Sequence, residues 1–169
     1  NPPFCGEIDM EIRRNGQWFY MGTPIGRPAL VKLFSTVLRH DDDGHYYLVT
    51  PVEKVRIRVE DAPFLAVAVE RHEEAGVPYL RFAPQTGGVV VAGPEHPLRV
   101  AFRDDQEPCP YLRVRDRLDA LLSRTVYYQL VDWGQEAEVE GRTDRIRHTR
   151  ASPLATQPSR LPDSRRQLR

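Results

Sequence analysis

The sequence lacks any apolar run that could cross a lipid bilayer. Its longest uninterrupted apolar stretches are residues 64–69 and 89–92, whereas a membrane-spanning helix needs about 20 consecutive apolar residues. We therefore expect no membrane span. No basic-then-apolar leader follows Asn1, and because this residue is not an initiator methionine we expect the sequence to lack its natural N-terminus.

Cysteine and lysine are also scarce. Cys5 and Cys109 are the two cysteines, and they form neither a C-x-x-C pair nor a disulfide framework, which is typical of a protein in the reducing cytoplasm. Lys32 and Lys54 are the only lysines among 24 basic residues, so arginine supplies nearly all of the positive charge. Guanidinium groups bind carboxylates and phosphates through paired hydrogen bonds.

What the sequence does contain is enough apolar material for one or two globular domains, since 40% of its 169 residues are hydrophobic. The formal net charge is zero, yet residues 142–169 hold eight arginines against two aspartates, so the body of the chain is acidic. That basic segment has scattered prolines and few large apolar residues, and we predict a disordered tail over residues 135–169. Because the body is acidic, nucleic acid is not the expected partner.

Apolar and charged residues alternate along the N-terminal half, residues 1–61, and predict short strands around one helix. Asn15-Gly16 predicts a two-residue hairpin turn. Pro28 suits the first turn of a helix, and apolar residues on one face extend this predicted helix over residues 28–39. Strands are predicted over residues 7–13, 17–20, 46–49 and 52–59.

The second half, residues 62–134, has the pattern of a meander of short strands. A short helix is predicted from Asp116 and a strand over residues 126–133. This order repeats the first half, where a helix is likewise followed by a strand that opens with Tyr-Tyr and ends with Leu-Val. Duplication explains the repeat better than convergence of two generic amphipathic units, and the crevice between similar halves is a common place for a ligand. The other strands are predicted over residues 64–70, 78–82, 88–91, 98–102 and 111–115.

The predicted strand over residues 52–59 has the clearest charge pattern. Lys54, Arg56 and Arg58 alternate with apolar residues and lie on one face, about 6.6 Å apart. Such a face attracts phosphate-bearing ligands, although an ordinary solvated face is the alternative. Arg27 precedes the predicted helix, where it could hold an anion at the helix N-terminus or simply mark a helix entry.

Two groups of carboxylates are candidate metal ligands. Glu7, Asp9 and Glu11 share one strand face, the geometry of an acid–base pair or a metal site, but salt bridges to the arginines explain them equally well. The run that starts at Asp41 resembles a calcium loop, yet Thr50 stands where that loop needs a glutamate. The histidines lack zinc-site spacing. We therefore predict neither a metal ligand nor a catalytic residue, and the sequence implies no particular cofactor.

Several long blocks of the sequence resemble the bacterial family of domain of unknown function 1285. The match extends over roughly residues 2–134, and after Trp133 the family pattern calls for another strand where this sequence has its basic segment. The blocks are Cys5-Gly6-Glu7-Ile8-Asp9-Met10, Gly16-Gln17-Trp18-Phe19-Tyr20, Gly22-Thr23-Pro24-Ile25-Gly26-Arg27, residues 48–57, residues 91–98 and Tyr111-Leu112-Arg113-Val114-Arg115.

The resemblance implies an α+β fold of two similar halves, each a mostly antiparallel sheet with one helix, the second loosely like a pleckstrin-homology domain. It also implies a nucleotide-like ligand between the halves and a role in bacterial signalling. We therefore expect a non-catalytic binding module for an anionic ligand. The alternatives are a metal-dependent enzyme acting on a phosphorylated substrate and a scaffold for an unknown protein partner. Within the matching blocks, the candidate ligand-binding residues are Asp9, Arg27, Thr50, Glu53, Lys54 and Arg56.

Overall fold

The structure of the protein, a computed structural model, describes residues 1–139, with side chains described up to residue 134. The first half contains six strands and one helix: β1 (Phe4–Ile12), β2 (Trp18–Tyr20), β3 (Thr23–Pro24), α1 (Pro28–Thr36), β4 (Leu38–His40), β5 (Tyr46–Val49) and β6 (Lys54–Val59). The second half contains β7 (Phe64–Glu74), β8 (Val77–Pro84), β9 (Val90–Val91), β10 (Leu98–Phe102), β11 (Pro108–Arg115), β12 (Leu118–Leu122) and α2 (Arg124–Val139).

The two sheets have the same strand order. The first is β3-β2-β1-β6-β5-β4, and the second, taken in the same direction, is β9-β8-β7-β12-β11-β10. Each sheet joins two antiparallel three-stranded meanders through one parallel pair, β1 with β6 in the first and β7 with β12 in the second. The predicted α+β fold with two similar halves is therefore confirmed, and the duplication is visible in the strand order.

The predicted local structure is wrong at residues 116–133, where helix and strand are exchanged. Leu118, Ala120 and Leu122 are buried at alternate positions of β12, so their period is that of a strand and not of a helix. The next segment is α2, whose buried Val126 and Leu130 are spaced by one helical turn. The two Tyr-Tyr pairs consequently lie in different structures, one in a strand and one in a helix.

A capping residue marks the start of α2. The backbone N–H of Val126 donates to Ser123 Oγ at 3.3 Å, and the N–H of Tyr127 donates to the Ser123 carbonyl at 2.9 Å. A serine that accepts from a backbone N–H of the first turn is a strong helix start signal. α2 continues to Val139, five residues into the predicted tail, and residues 140–169 lie outside the described part of the chain.

The first helix is shorter than predicted. α1 ends at Thr36, and β4 begins at Leu38, which lies opposite Leu48 of β5. This pairing buries Leu38. The core at this position is therefore filled by a strand residue and not by a further turn of α1. Phe34 of α1 stacks on Trp18, which places the helix on the core face of the first sheet.

One continuous hydrophobic core serves both halves. Buried residues of the first half, such as Ile12 and Trp18, belong to the same cluster as Phe82 and Leu112 of the second. A small separate cluster of Ala62, Cys109, Tyr111 and Leu121 lies apart from it. Among the described residues, no helix has the length and apolar character needed to span a membrane.

Candidate functional site

The basic residues of β6 lie on the solvent face of the first sheet, where most have local partners. Lys54 Nζ is 2.6 Å from Asp41 Oδ2 and 4.1 Å from the centre of the Tyr47 ring. Asp9 Oδ1 accepts from Arg58 Nη2 at 2.7 Å. The salt bridges that were the alternative interpretation of this face are therefore present.

Arg56 is the exception on this face. Its guanidinium carbon lies 5.4 Å from the centre of the Phe4 ring and 5.8 Å from that of Tyr47. Within the described residues its buried Nε has no hydrogen-bond partner. Arg56 is therefore held by aromatic faces, which attract a cation through their ring quadrupole.

Thr50, Glu53 and Arg27 lie outside the strand. The Thr50 hydroxyl accepts from the Glu53 N–H at 3.2 Å, and the Thr50 N–H donates to the Glu53 carbonyl at 2.9 Å, so these two residues close the turn before β6. Arg27 precedes α1, on the opposite side of the sheet, and is exposed. The structure thus brings Lys54 and Arg56 together at the Tyr47 ring, whereas Asp9 pairs with Arg58 and Arg27 lies elsewhere.

Two of the cavities between the halves are described below, and none of these six residues lines either of them. Ligand binding by the six stays a prediction. Within residues 1–134, no group of three or more His, Cys, Asp or Glu side chains is arranged to hold a metal ion. Glu7 and Asp9 both face Arg58, and Glu11 faces Arg13 at 3.1 Å, so this geometry does not favour the metal-dependent enzyme.

The first cavity between the halves, here called the polar cavity, has a volume of about 440 Å³. It combines side chains of the first half with side chains from β10, β11 and β12. The residues that define it are His40, Tyr46, Asp61, Arg99, Tyr111 and Asp119.

Two guanidinium groups share one carboxylate in the polar cavity. Asp119 accepts from Arg99 Nη2 at 2.9 Å and from Arg113 Nε at 2.6 Å. The Asp119 side chain is 15% exposed, and its single negative charge leaves one positive charge of this group uncompensated. Arg99 also lies over the Tyr111 ring, 4.4 Å from its centre. This group can attract an anion while it stays anchored to the sheet.

Aromatic side chains form the remaining wall of the polar cavity. The His40 and Tyr46 rings stack at 4.1 Å with an angle of 10° between their planes, and His40 Nδ1 donates to the Arg117 carbonyl at 3.1 Å. Tyr111 donates its hydroxyl hydrogen to Asp61 Oδ1 at 2.7 Å. Burial, followed by the bond to Asp61, raises the pKa of Tyr111, and burial raises the pKa of Tyr46. Both hydroxyls therefore remain protonated at neutral pH.

The second cavity, here called the apolar cavity, is larger, with a volume of about 830 Å³. Its walls include Leu65, Cys109 and Leu121 from the second sheet together with Tyr127 and Val131 from α2. The charged residues that line it are Arg13, Arg14, Glu60, Arg103, Glu107 and Arg124.

Asp61 connects the two cavities. Its Oδ1 faces Tyr111 in the polar cavity, and its Oδ2 accepts from Arg14 Nε, at the mouth of the apolar cavity, at 3.2 Å. Asp61 is also the last residue of the predicted N-terminal half. One carboxylate at the junction therefore holds together the tyrosine of one half and the arginine of the other.

The sequence contained a signal for part of this site. Arg99 and Arg113 alternate with apolar residues in the sequence, as the basic residues of β6 do, although they belong to the other sheet. In β10 and β11 this alternation places Arg99 directly opposite Tyr111. Asp61 and Asp119 had no such signal, because single acidic residues beside strands are common and their partners are distant in sequence.

Family models identify the class of protein to which this chain belongs. Two family models match the chain: the N-terminal domain of the domain of unknown function DUF1285 over residues 1–62, and the C-terminal domain of the same family over residues 63–146. The chain belongs to the DUF1285 family, as the sequence resemblance predicted. No functionally curated protein matches it.

Two solved structures of this family are similar to the chain. A DUF1285 family protein from Silicibacter pomeroyi DSS-3 is 51% identical, with a TM-score of 0.73, over 78% of this chain and 72% of that one. A second, from Shewanella baltica OS155, is 34% identical, with a TM-score of 0.56, over 73% of this chain and 90% of that one. Both relatives support the fold, and neither is described by an activity.

Proposed function

We propose that the protein is a non-catalytic binding module for an anionic, nucleotide-like ligand held in the polar cavity between its two halves. The observation that carries this proposal is the shared carboxylate: Asp119 holds both Arg99 and Arg113 and neutralises one of them. A phosphate can therefore bind beside this group without leaving an unpaired carboxylate.

The aromatic wall suits the rest of such a ligand. The stacked pair of His40 and Tyr46 presents flat ring surface from the first half, and Tyr111 presents a second ring under Arg99. A planar base packs well on aromatic faces, whereas inorganic phosphate would leave them unused. A module that senses such a ligand through both halves would suit bacterial signalling.

Isothermal titration calorimetry on the full chain tests this function. The titrants are adenosine and guanosine mono- and diphosphates, cyclic nucleotides and inorganic phosphate. We expect at least one nucleotide to bind more tightly than about 1 mM, and we expect phosphate alone to bind more weakly. The absence of binding tighter than about 1 mM for every nucleotide, with folding confirmed by circular dichroism, would overturn the proposal.

Two matched variants locate the site. Arg99→Gln removes a charge-assisted contact of about 1.5–3 kcal/mol, so we expect roughly tenfold or greater weakening. Arg58→Gln removes the same charge from the solvent face of the first sheet and should leave the affinity unchanged. The reverse result, or a loss of affinity in Lys54→Gln and Arg56→Gln, would mean that the ligand binds at the six residues predicted from the sequence.

A further inference from the structure

The floor of the apolar cavity is formed by apolar side chains that do not belong to the main hydrophobic core. Cys109 and Leu121 are buried, at 4% and 9% exposure, yet they belong to the small separate cluster and not to the main core. Leu65 packs against this cluster from β7. These side chains therefore turn apolar surface toward an open volume, which at about 830 Å³ lies within the usual range for small-molecule sites.

Four arginines line this cavity against two glutamates, Glu60 and Glu107. Glu107 faces Arg103 Nη1 at 3.6 Å and also forms an ion pair with Arg124, so one carboxylate serves two guanidinium groups. Arg124 Nη1 further contacts the Tyr128 hydroxyl at 3.4 Å. This triad of Arg103, Glu107 and Arg124, here called the rim triad, leaves one positive charge beside an apolar volume.

An apolar interior below a cationic rim fits a ligand with an apolar chain and an anionic head. We propose that the apolar cavity binds a single-chain amphiphilic anion of medium length, such as a saturated carboxylate or an alkyl phosphate. The alkyl chain lies against Leu65, Cys109 and Leu121, and the anionic head meets Arg103 and Arg124. The alternative occupant within the chain, residues 142–169, has eight arginines against two aspartates and would meet the rim with charge of the same sign.

This inference stands apart from the nucleotide site. The rim triad shares no residue with the group formed by Arg99, Arg113 and Asp119, although Asp61 contacts both cavities through Tyr111 and Arg14. Substitutions in one cavity can therefore serve as controls for ligand binding in the other.

The first test is chain length. We expect carboxylates from octanoate to dodecanoate, kept below their micellar concentrations, to bind the full chain in calorimetric titrations. Burial of each added methylene contributes about 0.8 kcal/mol to the free energy of binding, which corresponds to roughly fourfold tighter binding per carbon. Affinity that does not rise with chain length would overturn the proposal.

The second test is charge. Decanol has the same chain as decanoate and no negative head, so we expect it to bind at least about tenfold more weakly. The paired substitution Arg103→Gln and Arg124→Gln should weaken decanoate binding by roughly tenfold and leave decanol unchanged, whereas Arg99→Gln should change neither. Equal affinity for decanol and decanoate would overturn the anionic part of the proposal.

The third test distinguishes a free molecule from a membrane surface. Cys109 is buried and lines the apolar cavity, so iodoacetamide has to reach its thiol through that cavity. We therefore expect dodecanoate to slow the alkylation of Cys109, while exposed Cys5 reacts at an unchanged rate and serves as the internal control. Mass spectrometry of the two cysteine peptides gives both rates in one sample. Protection by anionic phospholipid vesicles, together with none by dodecanoate, would contradict the single-chain ligand.

Discussion

The two halves of this protein have the same strand order, but the faces of their sheets that point away from the core differ. In the first half this face carries ion pairs such as Asp9 with Arg58. In the second half it carries Arg99, Tyr111 and Cys109, of which Tyr111 and Cys109 are buried. The same backbone arrangement therefore presents ion pairs around a buried Tyr47 in one copy and the floor of two cavities in the other.

The helices account for much of this difference. α1 is inserted between β3 and β4 and packs on the core through Phe34 and Trp18. α2 follows the last strand and has two sides, because Val126 and Leu130 enter the core while Tyr127 and Val131 line the apolar cavity. α2 therefore forms a wall of the apolar cavity, whereas the polar cavity is closed by side chains of the first half.

The largest expected effect concerns the core that the halves share. Ile12→Ala and Leu112→Ala each remove a fully buried side chain, one from each half, and each should lower the free energy of unfolding by about 2–5 kcal/mol. Because both residues belong to one cluster, we expect each substitution to destabilise the two halves together.

The two tryptophans can check this coupling. Trp18 lies in the first half and Trp133 in α2, so urea denaturation followed by fluorescence in Trp18→Phe and Trp133→Phe backgrounds reports the halves separately. Coincident midpoints are expected in all four combinations. Two separated transitions would show that the halves unfold independently in spite of their common core.

A smaller effect is expected at the junction. Asp61→Asn weakens the bonds to Tyr111 and Arg14 at a carboxylate that is 16% exposed, and hydrogen bonds to charged groups contribute about 1.5–3 kcal/mol. We expect a loss of roughly 2 kcal/mol in the free energy of unfolding.

Asp9→Asn is the matched control for this substitution, because it breaks an ion pair on the exposed face of the first half. It should change stability by less than about 1 kcal/mol, as exposed ion pairs do. Urea denaturation of the two variants side by side compares a cleft carboxylate with a surface carboxylate. Equal losses would mean that the cleft does not couple the halves through Asp61.

The smallest expected effect is a difference in pH dependence. The hydrogen bond from Arg39, followed by Lys54, lowers the pKa of Asp41 from 3.8 to about 2. This stabilisation is complete above the unfolded-state pKa and is lost as the pH falls from about 4 toward 2. Tyr111 behaves oppositely: its pKa is raised above 10.0, so its contribution is present below about pH 10 and is lost as the pH rises further.

Unfolding measured across the pH range separates these two contributions. Asp41→Asn should flatten the acid limb of the stability profile and leave the alkaline limb, whereas Tyr111→Phe should flatten the alkaline limb. If Tyr111→Phe leaves the alkaline limb as steep as before, the hydroxyl is not held by Asp61 in solution.

Prediction from sequence succeeded where the signal is local. The alternation in residues 7–13 identified the first strand, because a strand with one buried face must alternate. Asn15-Gly16 identified the hairpin but not its loop length. The Arg13 N–H donates to the Gln17 carbonyl, and Gly16 but not Asn15 has a positive φ, so the loop has three residues and not the predicted two. The same reasoning failed at residues 116–133, where Leu118, Leu121 and Leu122 fit a helical face as well as a strand. Ser123, which caps α2, was the overlooked signal.

The sequence by itself determined the α+β class, the number of halves and most strand positions, because these depend on periodicity and turn chemistry that neighbouring residues carry. It also identified arginine as the main cation. The tertiary structure alone decided which arginines remain partly uncompensated, since Arg99 and Arg113 meet Asp119 only when β10, β11 and β12 are aligned. The polar cavity likewise exists only after His40, Tyr46 and Asp61 of the first half are brought against the second sheet, over separations in sequence that no local pattern records.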